Sequence, residues 1–252
     1  MILIEQDKKS WLFYPSYKVA TNDMIGSFSI TTIIGASAKI DNIDLTESQN
    51  QNDSGYMTFT IPSLFKGSHT IKLVHPLCDE YETQIYVDNN TNTNNNYGNT
   101  IIPFNLKQNE INSLATKTEE TLKTICNGIL DNKKFDSLSL ECTSDRSSAY
   151  EIEEFYSDLA SYLKKENGTG LKEITFYSFT DNSEQTIFDA SQTYRCTLNF
   201  SYDYVKLNKS WFDDEITEES SDKRSNGSIT ITYVYENEDW MISSIDNYRL
   251  YY

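Results

Sequence analysis

The two histidines of the chain are its first candidates for chemistry, because histidine is the side chain that most often carries protons or binds metals near neutral pH. Both lie in the stretch TIPSLFKGSHTIKLVHP at residues 60–76, as His69 and His75. Six residues apart on one strand, they would share a face about 20 Å apart, too far for a common metal ion or proton. Pro62 and Gly67 are typical of a turn, so the stretch is predicted to be a sheet corner in which the histidines are structural.

The four cysteines offer metal binding or disulfide formation. Cys78, Cys126, Cys142 and Cys196 are far apart, with no CxxC pair and no histidine at metal-ligand spacing, so a zinc site is not expected. Four cysteines permit three complete disulfide pairings, but we favour buried free thiols because cysteine packs as a small hydrophobe. Catalytic, phosphate-binding and EF-hand motifs are absent. No catalytic, cofactor-binding or metal-ligating residue is therefore predicted, no cofactor is expected, and the position of a ligand pocket stays open.

The charge of the chain limits its partners. It has 38 acidic and 21 basic residues and a formal net charge of −17, so its field repels nucleic acid. The acidic run WFDDEITEES at residues 211–220 is predicted to be a solvated face. The 18 Tyr and 12 Phe favour sheets over helical bundles.

An Asn-rich stretch, VDNNTNTNNNYGNT at residues 87–100, has the composition of a linker. We therefore predict a first domain over residues 1–88, a linker over 89–104 and a second domain over 105–252. The first domain contains short alternating runs separated by turn residues, which predict a small antiparallel β-sandwich without helices. TESQNQNDSG at residues 46–55 is predicted to be an exposed loop. The opening residues, MILIEQDKKSW, are too few and too charged for a signal sequence or a membrane span.

The second domain begins with a helical pattern. A stripe at helical spacing predicts one long amphipathic helix; it consists of Ile111, Leu114, Thr118, Leu122, Ile125, Cys126 and Ile129. Asn105 and Gln108 can form a capping box at its start. A second helix is predicted from Ser148, with Glu151 three residues on, and its apolar face consists of Ile152, Phe155, Tyr156, Leu159, Tyr162 and Leu163.

Strands follow the helices. In YRCTLNFSYDYVK, the apolar positions from Cys196 to Tyr204 alternate with polar ones from Arg195 to Asp203, which predicts a strand with one buried face. GSITITYVY and WMISSIDNYRLYY flank the turn ENED and predict a closing hairpin. Helices followed by a long antiparallel sheet are typical of an α+β domain.

The two halves together resemble a known arrangement. GASAKIDN at residues 35–42, TIPSLFKGSHTIKL at 60–73 and the later Tyr81 resemble the PEGA-type surface domain, although the PEGA tetrapeptide is absent and Asn42 stands where glycine is usual. The order of elements over 105–252 and the ending EDWMISSI resemble the NTF2-like cone, in which helices pack on a curved antiparallel sheet. The pair is similar to the extracytoplasmic part of TcaA/YvbJ-type membrane proteins of Gram-positive bacteria.

This resemblance implies a non-enzymatic binding or sensing module on the outer side of a bacterial membrane. Its expected partner is a cell-wall component or another envelope protein, with membrane attachment only through a segment outside this chain; a cytoplasmic protein is the alternative location. NTF2-like relatives often bind a small ligand between sheet and helices, so the alternative function is an isomerase- or dehydratase-type enzyme using that pocket. The second domain has no histidine, and Asp203 lies on the opposite side of its strand from Tyr202 and Tyr204, so no base and donor share a wall.

Overall fold

The structure is a computed structural model, which describes residues 4–6, 17–19, 24–45, 49–51, 55–88, 102, 104–165, 169–184, 187–209, 215–221 and 224–250. The fold is β-rich and mixed α+β, with two helices and several antiparallel sheets. The chain divides into two compact units, residues 1–104 and residues 105–252. Among the described residues, neither helix is long and apolar enough to cross a membrane.

The regular elements among the described residues of the first unit are antiparallel strands. In chain order they are β1 (Ile4–Gln6), β2 (Tyr17–Val19), β3 (Ile25–Ile33), β4 (Ser37–Ile40), β5 (Ile43–Asp44), β6 (Gln49–Gln51), β7 (Tyr56–Phe65), β8 (Gly67–Val74) and β9 (Tyr81–Val87). Strands β1 and β2 pair with each other, a second sheet has the order β3-β7-β6, and a third has the order β5-β4-β8-β9. Alternate residues of the two larger sheets are buried, including Ile30, Phe59, Ile71 and Val87, so period-two alternation builds the core.

The stretch at residues 60–76 carries the chain from one sheet to the other. Strand β7 pairs in the second sheet and β8 in the third, and only Lys66 separates them. Gly67 has φ of 142°, a conformation that costs a residue with a side chain more than it costs glycine. The predicted corner is therefore present, but Pro62 lies inside β7 and does not bracket the turn.

Two other expectations for this half need correction. The predicted loop at residues 46–55 contains β6, which pairs with β7 through Gln49–Phe59 and neighbouring partners; residues 46–48 and 52–54 lie outside the described residues. The predicted linker at 89–104 ends inside the first unit, because Ile102 and Phe104 are buried and the Ile102 amide donates to Thr31 O. Ile102 and Phe104 are apolar and are buried within the first unit. The Asn-rich part of the predicted linker, residues 89–101, lies outside the described residues.

The second unit begins with α1 (Gln108–Leu130) and, after a single 3-10 turn at Phe135–Ser137, continues with α2 (Arg146–Leu163). The apolar stripes are confirmed except at three positions: Ile111 and Phe155 are only half-buried and Tyr162 is 51% exposed. Both predicted starts are wrong. Helix α1 is preceded by Lys107 with no side-chain cap, and Gln108 donates to Asn112 instead.

Helix α2 begins two residues before Ser148, because Asp145 is its N-cap. The Asp145 carboxylate accepts the Ser148 amide at 2.9 Å. An aspartate N-cap satisfies a free amide as well as the predicted serine would, and it also lies favourably at the positive end of the helix dipole. That amide hydrogen bond is the largest cause of the lowered pKa of Asp145.

The helices pack on one five-stranded sheet. Its strands are β10 (Gly170–Asp181), β11 (Thr193–Lys209), β12 (Ile216–Ser220), β13 (Ser225–Glu236) and β14 (Asp239–Arg249). The order is β10-β11-β13-β14, with β12 paired to one end of β11. All five residues of β12 are exposed, as the acidic run predicted, whereas residues 211–214 are not described. The closing hairpin is confirmed, and its turn residues Asn237 and Glu238 both have positive φ, as a tight two-residue hairpin turn requires.

Candidate functional site on the outer face of the five-stranded sheet

Side chains fill much of the space between the sheet and the helices, where the resemblance implies a ligand pocket, and an open groove of about 550 Å³ remains between α2 and β14. Tyr202 and Tyr233 are fully buried there, and Phe188 is 1% exposed. Phe200 packs against Phe176 with ring centroids 5.3 Å apart and against Phe179 at 5.7 Å. Aromatic rings thus occupy the centre of this interior.

One hydroxyl pair lies inside this interior. Thr118 Oγ1 donates to Leu114 O at 2.8 Å, so its contact of 2.9 Å with Tyr233 Oη requires the tyrosine to donate. Burial raises the pKa of Tyr233 well above its ordinary value, and the Thr118 contact offsets this only in part. No carboxylate of the described residues is buried. A protonated phenol with no neighbouring buried base cannot abstract a proton at neutral pH.

The four cysteines are free thiols, as predicted, and three of them are buried; Cys142 is half-buried. Burial raises the pKa of Cys126 to about 12, and its nearest partner is Tyr248 Oη at 3.7 Å. A thiol with so high a pKa stays protonated at neutral pH and is a poor nucleophile. The described residues contain no group of three or more His, Cys, Asp or Glu side chains that could hold a metal ion.

The histidines belong to the first unit and have separate surroundings. His69 Nδ1 lies 2.6 Å from Asp41 Oδ2, and His69 Nε2 lies 2.6 Å from Phe65 O. Both partners are acceptors, so the ring carries protons on both nitrogens when both bonds form. His75 is 4% exposed and its Nδ1 accepts the Leu77 amide at 3.3 Å. Each ring connects neighbouring backbone segments, which is a structural arrangement.

The outer face of the five-stranded sheet, away from the helices, is polar. Alternation places Asn199 and Ser201 of β11 on this face, and their partners on β13 are Ser228 and Asn226. Thr197 Oγ1 lies 2.9 Å from Thr230 Oγ1 in the next pair. Two open grooves of about 500 and 420 Å³ lie on this face and share Asn199, Ser228 and Arg249. We call this continuous surface the outer band; it consists of Asn182, Arg195, Thr197, Asn199, Ser201, Asn226, Ser228, Thr230 and Arg249.

Two arginines give the outer band its charge. Arg195 and Arg249 are exposed, and neither guanidinium forms a hydrogen bond or ion pair with a described residue. Arg195 is four residues from Asn199 along β11, about 13 Å. Arg249 lies opposite Ser228 on β14, two strands from Asn199, or about 10 Å across the sheet. The two cations therefore lie at separate places along one hydroxyl- and amide-lined surface.

The other cations near the grooves of this unit are already engaged. Arg224 stacks on Tyr177 with 3.9 Å between the guanidinium carbon and the ring centroid, and its Nε lies 3.8 Å from Asp203. Lys117, in a groove beside α1, donates to Glu141 and to Trp240 O. Asp203 thus faces outward with Arg224, while Tyr202 is buried, as strand parity predicted. Arg195 and Arg249 differ from these because they are available to a ligand.

Sequence reasoning identified Arg195 as part of the polar face of β11 but did not identify Arg249. Counting alternation from Asp246, which is exposed, would place Arg249 on the inner face. A register shift between the Ser228 and Thr230 pairs reverses this, so Tyr248 turns inward against Phe155. The sequence has no glycine or other mark of the shift at this point.

Comparison with known proteins adds no candidate. No family model, characterised protein or solved structure matches the chain. The evidence for a site is therefore the geometry of the outer band.

Proposed function

We propose that this chain is a non-enzymatic binding module of a bacterial cell-envelope protein, exposed on the outer side of the membrane. The observation that carries the proposal is the division of chemistry in the second unit. The interior is occupied by Tyr202, Tyr233 and Phe188, while the outer band presents the exposed guanidinium groups of Arg195 and Arg249 and the exposed amides of Asn199 and Asn226. A surface of this kind can hold a ligand but has no buried base and no enclosed volume in which to transform one.

The finer fold assignment belongs to the same proposal. Two antiparallel sheets joined by the one-residue connection between β7 and β8 support a PEGA-like sandwich for the first unit. Two helices on one face of a long antiparallel sheet support an NTF2-like domain for the second. The resemblance to TcaA/YvbJ-type proteins supports the envelope location, and the net charge of −17 supports a partner other than nucleic acid.

The alternative, a small-molecule enzyme using the cone pocket, is less well supported. It requires a cavity with a buried carboxylate or histidine beside a donor. In the described part of the second unit, the buried polar side chains are threonines, and the neighbouring phenols have raised pKa values.

Protease shaving tests the location. Intact cells that carry the native protein are treated briefly with trypsin, and the released peptides are identified by mass spectrometry, with a cytosolic protein as the lysis control. We expect peptides from both units at a time when the cytosolic control releases none. Peptides that appear only after lysis would contradict the envelope proposal.

A further inference from the structure

We infer that the outer band binds an extended glycan bearing widely spaced carboxylates. This inference rests on the proposed function, because it names the ligand class of a binding module. It starts from the two arginines, whose planar forked donors match a carboxylate in a bidentate geometry. Arg195 and Arg249 are exposed and without an ion-pair partner among the described residues.

The polar side chains between the two arginines favour a ligand that is rich in hydroxyl groups. Asn199 and Asn226 are exposed, and each side-chain amide has both donors and an acceptor. The hydroxyl groups of a sugar chain also donate and accept hydrogen bonds, so they can pair with the side chains of the outer band. An apolar peptide that covered Asn199 and Asn226 would remove water from their amides without replacing its hydrogen bonds, which lowers its affinity.

The length of the band favours a polymer. The pairs from Arg195–Thr232 to Ser201–Asn226 span seven residues of β11, and the six steps between them cover about 20 Å. The backbone positions of Arg195 and Arg249 are about 16 Å apart, from about 13 Å along the strands and about 10 Å across them, and both residues line one groove. A chain of several sugars can place one carboxylate at each arginine.

The net negative charge of the protein disfavours a ligand whose own negative charges are closely spaced. The net charge of −17 repels nucleic acids and polyphosphate, and Glu184, which lines the same groove as Arg195, adds a local negative charge. A glycan with one carboxylate per disaccharide keeps the arginine contacts and reduces this repulsion.

Titration calorimetry with the purified chain tests the inference, using a hyaluronan oligosaccharide as the carboxylated glycan, dextran as the neutral glycan and poly-glutamate as the acidic peptide. We expect hyaluronan to bind more tightly than the other two. Replacing Arg249 or Arg195 with alanine should weaken it about tenfold each, and R249K should weaken it less because lysine keeps the charge but not the fork.

The matched control is Arg146→Ala, since Arg146 is also exposed and without an ion-pair partner but lies at the start of α2. It should leave hyaluronan affinity unchanged, and circular dichroism should show all variants folded. Equal loss in R146A and R249A, equal binding of dextran, tighter binding of poly-glutamate or no hyaluronan binding would each overturn the inference. Because the assay uses purified protein, its failure leaves the shaving result untouched, and a failed shaving experiment does not affect the calorimetry.

Discussion

Replacing His69 with glutamine should make the first unit less stable in a pH-dependent way. The protonated ring bonds to Asp41 Oδ2 and to Phe65 O, which connects the β4–β5 turn to the end of β7. Glutamine is neutral and has a single amide donor group, so it cannot reproduce two charge-assisted bonds in opposite directions. The pair is also supported from the other side, because Asp41 Oδ1 accepts the Thr70 amide at 2.9 Å.

The size of the effect follows from exposure. Only 11% of the His69 side chain is exposed, but Asp41 is 46% exposed, so solvent screens the charge interaction. Two hydrogen bonds to a charged group, discounted for this screening, contribute about 1–2 kcal/mol. The H69Q variant should therefore melt about 5 °C or more below the parent chain near pH 6.

The sign of the pH dependence is fixed by both groups. Burial lowers the pKa of His69, but its bonds to Asp41 and Phe65 outweigh burial, and the net pKa is raised from 6.5. The contribution is therefore complete below pH 6.5 and is lost as the pH rises through the raised value. The bond from His69, and then that from Thr70, lowers the pKa of Asp41 from 3.8, so its contribution is present above pH 3.8 and is lost as the pH falls through the lowered value.

Nuclear magnetic resonance can follow the imidazole directly, because the chain has two histidines and H69Q removes one signal. The parent protein should give a His69 pKa above 6.5, and the melting difference between parent and H69Q should shrink from pH 6 to pH 9. Lys39→Met is the control: it breaks the exposed Lys39–Asp44 pair of the same hairpin and should give a small, constant difference over this range. A His69 pKa at or below 6.5, or a constant H69Q difference, would refute the reasoning.

Three further predictions concern the second unit. Gly227→Ala should destabilise the chain by about 1–3 kcal/mol in urea unfolding, because the new Cβ would lie 2.5 Å from Phe200 Cε2 and from Arg249 O; an unchanged midpoint would contradict this contact. Tyr233→Phe should cost about 1 kcal/mol, since it removes the donor to Thr118 while keeping the packing; a stability equal to the parent's would show that the bond contributes nothing. With Ellman's reagent at pH 8, Cys126 should react only after denaturation, because burial raises its pKa to about 12; rapid labelling of Cys126 in the folded chain, identified by mass spectrometry, would contradict its burial.

The regular elements were predictable because burial imposes their period. Helix α1 buries Leu114, Leu122 and Ile129 as the 3.6-residue stripe predicted, and β11 buries Cys196 and Leu198 by simple alternation. Such a pattern repeats over many residues, so the element can be predicted from several positions that agree with one another.

Features set by single residues were not predictable. The start of α1 was assigned to a capping box, but Lys107 precedes the helix and no side chain caps it. Strand β6 has no apolar residue, and its strand conformation is set by antiparallel pairing with the backbone of β7. The candidate site depended on one register shift in β14, which has no local sequence pattern.

The 17-residue strand β11 determines how rigid the outer band is. Over residues 198–202 it is paired on both edges, with β10 on one side and β13 on the other. The amide protons of this segment should therefore exchange with solvent only through large-scale opening, more slowly than those of β12. Because the backbone under Asn199 and Ser201 is already ordered, binding would restrict mainly side chains and the ligand itself, so the entropy loss on binding would depend chiefly on ligand stiffness.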